Sequence, residues 1–273
     1  MVASKIIDLH VHSNFSDGKL APDALAARAN FNNVIAMAVT DHDTLEGADA
    51  NALACRENGI EFIPGVEIST RFQGKETHIL SLFVDPVSPA RQRLEELRTA
   101  RAVRMDKMLE RLRKFNMTLT FDDLPYDGGA VGRPHLARAM VEKGYVKNVS
   151  EAFGRYLYDD GPVYMPKLQI SVTEGIELAR SLGGVPVLAH PGPSGLLPHL
   201  DEIMAMGMDG VECYHPKHGG ETIAKLLRYC RDNNLLVSGG SDFHAPGESP
   251  DIGSQKVPFD VLEPLRSHAA GAE

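Results

Sequence analysis

The chain has 273 residues, of which 43% are hydrophobic and 24% are charged, and its net charge is −9. This length suits one domain of barrel size, or a domain with an insertion. The acidic balance argues against a long nucleic-acid duplex as a partner, because such partners require a basic face. The lack of an apolar run of about 18 residues argues against a membrane span. The N-terminus has no apolar signal core, so we expect a cytoplasmic protein.

Short apolar runs alternate with helical patterns along the chain. The predicted strands are, in chain order, Lys5–Leu9, Val34–Val39, Glu61–Val66, His78–Val84, Val185–Ala189, Gly210–Tyr214 and Leu235–Ser238. The predicted helices between them include Pro22–Asn30, Thr44–Asn58, Thr173–Leu182 and Glu221–Asn233. This alternation predicts an α/β fold with a parallel sheet and helices outside it. Seven strands favour a closed or nearly closed barrel over an open sheet.

The long stretch between the fourth and fifth strands breaks this alternation. Ser88–Phe115 has the pattern of a charged helix, and shorter helical patterns follow at Arg133–Lys143 and Val149–Tyr156. We therefore predict a helical insertion at 91–165, with the barrel formed by 1–90 and 166–273. The insertion either presents a solvated helical surface or caps the active site, because a structureless loop of this length would be unusual.

Nearly every predicted strand ends beside a side chain that binds metal ions. The candidates are His10, His12, Asp17, His42, Glu67, His78, His190, Asp242 and His244. Because the carboxyl ends of parallel barrel strands meet at one rim, we expect these groups to converge. They are too many for one tetrahedral ion and suit two or three ions bridged by a carboxylate such as Glu67. Imidazole with carboxylate favours zinc, manganese or iron over calcium.

Each candidate also has an ordinary structural explanation. A single histidine near a strand end is usually a hydrogen-bonded structural residue, and Asp17 or Asp43 could be a helix N-cap or turn residue. The combination is harder to explain in that way. His-x-His follows the first strand, Thr-Asp-His the second, and Ser-Asp-x-His the last. The joint pattern therefore favours a metal cluster.

The segments DLHVHSNFSDG, AVTDHDT, IPGVEIS, LAHPG and GGSDFH resemble the motifs of the PHP (polymerase and histidinol phosphatase) domain, within the amidohydrolase superfamily. The resemblance covers nearly the whole chain outside the insertion. It implies a distorted (β/α)7 barrel with a three-metal site. One ion would be held by His10, His12, Glu67 and Asp242. A second would be held by Glu67, His78 and His190, and a third by Asp17, His42 and His244.

Within that family the chain resembles the TrpH/YciV-like branch, which carries a helical insertion at this place and a segment similar to Gly132-Arg133-Pro134-His135. The branch includes phosphatases of nucleoside 3′,5′-bisphosphates and enzymes that trim short RNA from the 5′ end. By this resemblance, Arg133 and His135 would hold a second phosphate. Lys167 and the loop with His218 are further candidates for substrate binding. The alternative is a helix start with a solvated Arg133, and a solvated basic loop at 215–218.

We therefore expect hydrolysis of a phosphate ester with two or three divalent ions, manganese first and zinc, iron or magnesium as alternatives. Such ions lower the pKa of a bridging water toward neutrality, and we assign Asp17, His42 and His244 to the catalytic step around it. The expected substrate is a nucleoside 3′,5′-bisphosphate that loses its 3′-phosphate. The alternatives are a short 5′-phosphorylated oligonucleotide, histidinol phosphate, and a PHP-like module without catalysis.

Acidic residues beside the ligand motifs are candidates for orienting the imidazoles. Asp8, Asp41 and Asp43 are predicted to do so, although Asp8 could equally be a buried sheet residue. The role of Glu212 is left open between function and structure.

Overall fold

A computed structural model of the chain describes residues 5–125, 130–166 and 170–271. The fold is built on one mixed sheet. Its strands are β1 (Ile6–Val11), β2 (Val34–Val39), β3 (Glu61–Phe72), β4 (Lys75–Leu82), β5 (Ile170–Ser171), β6 (Val185–Leu188), β7 (Gly210–Tyr214), β8 (Leu236–Gly239) and β9 (Val257–Pro258). The helices are α1 (Pro22–Phe31), α2 (Ala48–Glu57), α3 (Arg91–Leu112), α4 (Arg133–Glu142), α5 (Val149–Ala152), α6 (Val172–Ser181), α7 (Leu200–Met204), α8 (Gly220–Asp232) and α9 (Leu262–Ala270). None of these helices has the length and apolar content needed to cross a membrane.

The strands form a nearly closed barrel. Their order is β8-β7-β6-β4-β3-β2-β1-β9, and the short β5 pairs with β3. The segment after β8 closes the circle against β1. There the backbone N–H of Asp242 donates to the carbonyl of His10, and that of His12 donates to the carbonyl of Phe243, each at 2.9 Å. The prediction of an α/β barrel is confirmed.

The prediction that the barrel is parallel throughout is wrong at β4, which runs antiparallel to both β3 and β6. Phe72 pairs with Lys75, so Gln73 and Gly74 form a two-residue turn, with φ of 46° and 83°. Positive φ at both central positions is the geometry of a tight hairpin. Because β4 starts where β3 ends, His78 near its beginning lies at the same rim as the carboxyl ends of the parallel strands.

Apolar side chains fill the space inside the barrel and between the sheet and its outer helices. Ile7, Leu9, Leu80 and Val187 belong to the inner cluster. The outer cluster joins residues of α6 and α8 to the outward-facing residues of β3, β4 and β7. The capping box at Ser171 begins α6, since the Ser171 hydroxyl accepts from the backbone N–H of Glu174. These layers fix the strand ends that carry the candidate ligands.

The helices after β4 have an apolar cluster of their own. Met105, Met108 and Leu112 of α3 pack with Leu136 and Met140 of α4 in a group that is separate from the barrel clusters. The first turns of α3 pack on the barrel instead, through Leu94 and Leu97. The predicted helical character is present, and the boundaries of an insertion domain at 91–165 stay a prediction.

The contact between α6 and the sheet yields a test of the packing. A Cβ added at Gly175 would lie 2.4 Å from Thr70 Cγ2 and 2.9 Å from Ile79 Cδ1. We expect Gly175→Ala to lower the free energy of unfolding by about 1–3 kcal/mol through overpacking, measured by urea denaturation. Gly220→Ala is the matched control, because nothing lies within 4 Å of its added Cβ. Equal stability of the two variants would contradict this close packing.

Candidate metal centre

The barrel rim brings all nine predicted ligand side chains to one place. They come from different elements: His10 from β1, His12 and Asp17 from the segment after it, His42 from the segment after β2, Glu67 from β3, His78 from β4, His190 from the segment after β6, and Asp242 and His244 from the segment after β8. Glu67 lies within β3 rather than at its end, because β3 continues to Phe72. Their role as metal ligands stays a prediction, which the local geometry supports.

Four ligand atoms form the tightest group. His10 Nε2 and His12 Nε2 lie 3.2 Å apart, and each lies 3.4 Å from Asp242 Oδ1. Glu67 Oε2 lies 3.4 Å from His10 Nε2 and 3.2 Å from His12 Nε2. Ligands at about 2.0–2.1 Å from a tetrahedral ion are roughly 3.3–3.4 Å from one another. The spacing of His10, His12 and Glu67 therefore suits one divalent ion, and Asp242 approaches the two imidazoles of this group.

The other oxygen of Glu67 faces a second group. Glu67 Oε1 lies 2.7 Å from His78 Nδ1 and 3.0 Å from His190 Nε2. His42 Nδ1 lies 3.0 Å from Glu67 Oε2. His42 also has metal-ligand spacing with Glu67 and His78, so it belongs to this second group. Because its two oxygens point to different sets of imidazoles, Glu67 has the placement of a carboxylate that bridges two ions.

A third group surrounds Asp17. Its Oδ1 lies 3.2 Å from His244 Nε2 and 3.8 Å from His12 Nδ1, and its Oδ2 lies 3.9 Å from His42 Nε2. The groups overlap more than the three separate ligand sets predicted from the family resemblance. His12 has metal-ligand spacing with Asp17, His42 and His244 as well as with His10 and Glu67. The distances therefore do not divide the nine side chains into three separate sets.

Four buried atoms of the candidate ligands lack hydrogen bonds, which suits the binding of cations. Asp17 Oδ1, His42 Nδ1, Glu67 Oε2 and His78 Nδ1 are buried and have no hydrogen-bond partner among the described residues. They approach other ligand atoms closely, but without the directions that hydrogen bonds need. A buried polar atom left in this state costs roughly 1–3 kcal/mol. Ligation would satisfy all four, and imidazole with carboxylate is a suitable donor set for zinc, manganese or iron.

Charge at the rim is balanced between carboxylates and imidazoles. Burial raises the pKa of Glu67, but the charges of His42, His78 and His10 outweigh it and hold that pKa well below its ordinary value. Burial lowers the pKa of His12, but the close carboxylates of Asp242 and Glu67 raise it to about 10. Burial lowers the pKa of His42 to about 3. The acids are thus ionised, and protonated imidazoles would have to lose their protons before ligation.

Further polar groups orient the imidazoles. Glu212 Oε1 lies 2.9 Å from His10 Nδ1, and Glu212 Oε2 accepts from the backbone N–H of His190 at 2.7 Å. Glu76 Oε1 lies 3.0 Å from His78 Nε2. Such contacts set which ring nitrogen faces the metal. Sequence reasoning left Glu212 open and missed Glu76, although its spacing of two from His78 on one strand places both on the same face.

Two of the three aspartates predicted to orient imidazoles have other roles. Asp8 accepts from the backbone N–H groups of Ser241 and Gly253, at 2.9 and 2.7 Å, and so helps to close the barrel. Asp43 pairs with Arg101 of α3 at 2.6 Å and therefore ties that helix to the rim. Asp8 thus serves the closure of the barrel, and Asp43 serves the attachment of α3.

Asp41 supports a ligand indirectly. Its Oδ1 accepts from the backbone N–H of Ser13 at 2.8 Å and from the hydroxyl of Ser16 at 2.5 Å. The Ser16 hydroxyl in turn lies 3.4 Å from His12 Nδ1. Asp41 therefore orders the loop that carries Asp17 and acts on His12 through Ser16.

The backbone at the rim adopts conformations that cost energy. Three residues other than glycine have positive φ there: Asp43 at 51°, His190 at 28° and Asp242 at 50°. Each such residue costs of order 1–3 kcal/mol and persists only where the surrounding structure imposes it. These strained positions coincide with two candidate ligands and with the residue that anchors α3.

The predicted substrate contacts differ in how the structure places them. His135 is 2% exposed, and its Nδ1 accepts from the backbone N–H of Gly132 at the start of α4. His218 lies with Nδ1 2.9 Å from the carbonyl of Cys213 and Nε2 3.0 Å from the N–H of Gly192. Backbone groups thus lie at both ring nitrogens of His218 and at Nδ1 of His135, and the assignment of these two residues to substrate binding stays a prediction. Lys167 lies outside the described residues.

Arg133 has a different setting. Its guanidinium pairs with Asp159 at 2.6 Å and lies 3.5 Å from Glu76 Oε2. Since Glu76 also contacts His78, Arg133 stands directly beside the rim. Its side chain is 15% exposed, so part of the guanidinium-bearing chain reaches solvent.

Two connected cavities open at the rim. One of about 220 Å³ is lined by His78, His190 and Ser194 among others. The other, of about 830 Å³, lies between α4–α5 and the segments that follow β7 and β8. We call the second cavity the cleft. His215, Lys217, Asp242 and His244 line both cavities. A substrate at the rim can therefore extend into the cleft.

The bridging position of Glu67 can be tested by metal content. We expect Glu67→Gln to lower the bound metal by about one ion or more per chain after loading with Mn²⁺ and desalting, because it removes the shared charge. Inductively coupled plasma mass spectrometry measures this. Glu177→Gln, on the exposed side of α6, is the matched control. Wild-type metal content in Glu67→Gln would rule out a bridging role for this carboxylate.

A family model described as the PHP domain matches residues 8–237. The chain is 34% identical to a 3′,5′-nucleoside bisphosphate phosphatase of Chromobacterium violaceum, with 95% of this chain and 94% of that protein covered. It is 33% identical to a 5′-3′ exoribonuclease of Haemophilus influenzae, with 96% of this chain and 98% of that protein covered.

Solved structures agree with these relatives. A candidate metal-dependent phosphoesterase from Bifidobacterium adolescentis matches with a TM-score of 0.88 and 30% identity, over 96% of both chains. An amidohydrolase from Chromobacterium violaceum, solved with bound sulfate and no metal, matches with a TM-score of 0.84 and 31% identity, over 96% of both chains. The rim of imidazoles and carboxylates and these full-length matches lead to one conclusion: the chain belongs to the PHP domain family and is a hydrolase that acts on phosphate esters.

Proposed function

We propose that the chain removes the 3′-phosphate of nucleoside 3′,5′-bisphosphates and uses two or three divalent ions, manganese first among them. The observation that carries this is the position of Arg133 beside a rim rich in metal ligands. A guanidinium binds phosphate oxygens through a planar pair of N–H donors. The rim and Arg133 together offer separate places for two phosphates on one small molecule. The 34% identical relative named as a bisphosphate phosphatase supports the same reading.

The reaction adds water across one ester bond. A water oxygen bonds to the phosphorus, the bond from phosphorus to the 3′ oxygen breaks, and that oxygen takes up a proton. The products are a nucleoside 5′-monophosphate and inorganic phosphate. Divalent ions bound at the rim would neutralise phosphoryl charge and lower the pKa of water. We assign to Asp17, His42 and His244 the charge compensation or protonation that the leaving oxygen needs.

The second candidate is 5′→3′ exonuclease action on short 5′-phosphorylated oligoribonucleotides. The chemistry is shared, because a bisphosphate is the smallest 5′-phosphorylated substrate that has a 3′ phosphate ester. The two activities differ in whether the site has room for a chain beyond that ester. The cleft of about 830 Å³ beside the rim and the relative named as an exoribonuclease favour this candidate.

A panel of substrates tests the proposal. Purified protein with Mn²⁺ is given adenosine 3′,5′-bisphosphate, a 5′-phosphorylated dinucleotide or histidinol phosphate at equal concentration. We expect phosphate release from the bisphosphate. In Asp242→Asn the rate of this release should fall by about 10²-fold or more, because one charged group at the reaction centre is removed. Glu177→Gln serves as the active control. Release from histidinol phosphate alone would refute the nucleotide assignment.

Arg133 provides a second test. Arg133→Ala is expected to lower kcat/KM for adenosine 3′,5′-bisphosphate by about 10- to 100-fold, the usual effect of losing a hydrogen bond to a charged group. The kcat/KM for adenosine 3′-monophosphate, which has no 5′-phosphate, should fall much less. Arg155→Ala is the control, because Arg155 is exposed and pairs with Glu151. Equal losses on both substrates would instead indicate a structural role through Asp159 and the Leu157 carbonyl.

A further inference from the structure

The loop after β7 places a buried imidazole, that of His215, beside the candidate metal centre. His215 is 1% exposed, although it borders both cavities at the rim, and it is not one of the nine candidate ligands. A buried imidazole needs partners for its ring nitrogens. We infer that His215 is a positioning residue that holds the Asp242 carboxylate in the orientation needed for metal binding. This inference rests on the proposed use of divalent ions.

A tight turn fixes the His215 ring. The sequence His-Pro-Lys-His at 215–218 has proline in the second position, which presets the φ that a turn needs there. The turn closes where the backbone N–H of His218 donates to the His215 carbonyl at 2.9 Å. Within it, the backbone N–H of Lys217 donates to His215 Nδ1 at 3.2 Å. The local sequence therefore sets the direction of the ring.

The same turn determines which nitrogen of His215 carries the hydrogen. A ring nitrogen that accepts an N–H has no hydrogen of its own, so the ring hydrogen of His215 is on Nε2. This nitrogen lies 3.3 Å from Asp242 Oδ2 and donates to it. The ring centroids of His190 and His218 lie 5.5 and 5.3 Å from that of His215, so the ring is also packed in place.

The two oxygens of Asp242 have different neighbours. Oδ1 lies 3.4 Å from both His10 Nε2 and His12 Nε2, whereas Oδ2 faces His215. Asp242 has a φ of 50°, a conformation that persists only where surrounding contacts impose it. With Oδ2 held by His215, Oδ1 is the oxygen presented to the ligand group of His10 and His12. Without that donor the carboxylate can rotate.

A group that orients a metal ligand contributes to metal affinity without touching the ion. Losing such a group usually costs about 10- to 100-fold in metal affinity or activity. Glu212 has a contact of this kind with His10. His215 gives equivalent support to a carboxylate ligand, and the hydrogen on its ring is used by Asp242 rather than by substrate.

Asparagine and glutamine at position 215 separate the two contacts of the ring, because their amide groups lie near the places of Nδ1 and Nε2, respectively. His215→Asn keeps an acceptor for the Lys217 N–H and loses the donor to Asp242, whereas His215→Gln keeps that donor. We expect His215→Asn to weaken Mn²⁺ binding by about 10- to 100-fold and His215→Gln by less than about threefold. Adding Mn²⁺ to metal-free protein and recording the electron paramagnetic resonance signal of free Mn²⁺ measures this.

A double-mutant cycle tests whether the effect passes through Asp242. In an Asp242→Ala background, His215→Asn should change the Mn²⁺ affinity by less than about threefold, because the carboxylate that His215 holds is absent. His268→Asn is the matched control. His268 lies on α9, pairs with Asp209 at 3.2 Å and borders neither cavity at the rim.

Wild-type Mn²⁺ affinity in His215→Asn would overturn the inference. An equal loss in the asparagine and glutamine variants, or a loss that persists in the Asp242→Ala background, would assign the effect to packing or to the turn and overturn it as well. A raised KM for adenosine 3′,5′-bisphosphate at unchanged Mn²⁺ affinity would place His215 in contact with substrate instead. If the wild-type protein bound no Mn²⁺, the proposed use of metal would itself fail, which is a different result. Thermal melting checks each variant, and His215→Ala replaces His215→Asn in the comparison if the latter does not fold.

Discussion

One buried carboxylate, that of Glu67, organises the rim. Its Oε2 lies within 3.4 Å of ring nitrogens from His10, His12 and His42, and its Oε1 within 3.0 Å of those from His78 and His190. A buried anion requires compensating charge in the same place. Imidazoles from β1 and β4 and from the segments after β1, β2 and β6 can meet around it only if the strands close into a barrel. The fold and the chemistry are therefore constrained by the same group.

The helices after β4 are joined to this centre by polar contacts. Arg101 of α3 pairs with Asp43, and Arg138 of α4 donates to the backbone carbonyl of Asp17 at 2.9 Å. Both anchors lie in segments that carry candidate ligands. The position of α4 and α5, and hence the width of the cleft, is thereby coupled to the geometry of the rim. The same polar contacts therefore support both the cleft and the candidate metal centre.

Much of the site was predictable because each ligand motif is local. His10 and His12 are two apart on an extended strand, so they face one side, and their Nε2 atoms meet at 3.2 Å. Contacts between distant segments were harder to predict. Glu76 was missed because the predicted fourth strand began at His78, whereas β4 begins at Lys75. A loop histidine such as His218 likewise gives no local sign that backbone groups lie at both its ring nitrogens.

The sequence alone determined the strand–helix alternation, the set of ligand-type side chains and the phosphoesterase family, since periodicity and motif spacing are properties of short segments. Only the tertiary structure decided that β4 is antiparallel, that Glu67 faces two groups with its two oxygens, and that Asp8 helps to close the barrel. These outcomes depend on which distant backbone groups come within hydrogen-bonding distance. That is set by closure of the barrel, which no local pattern encodes.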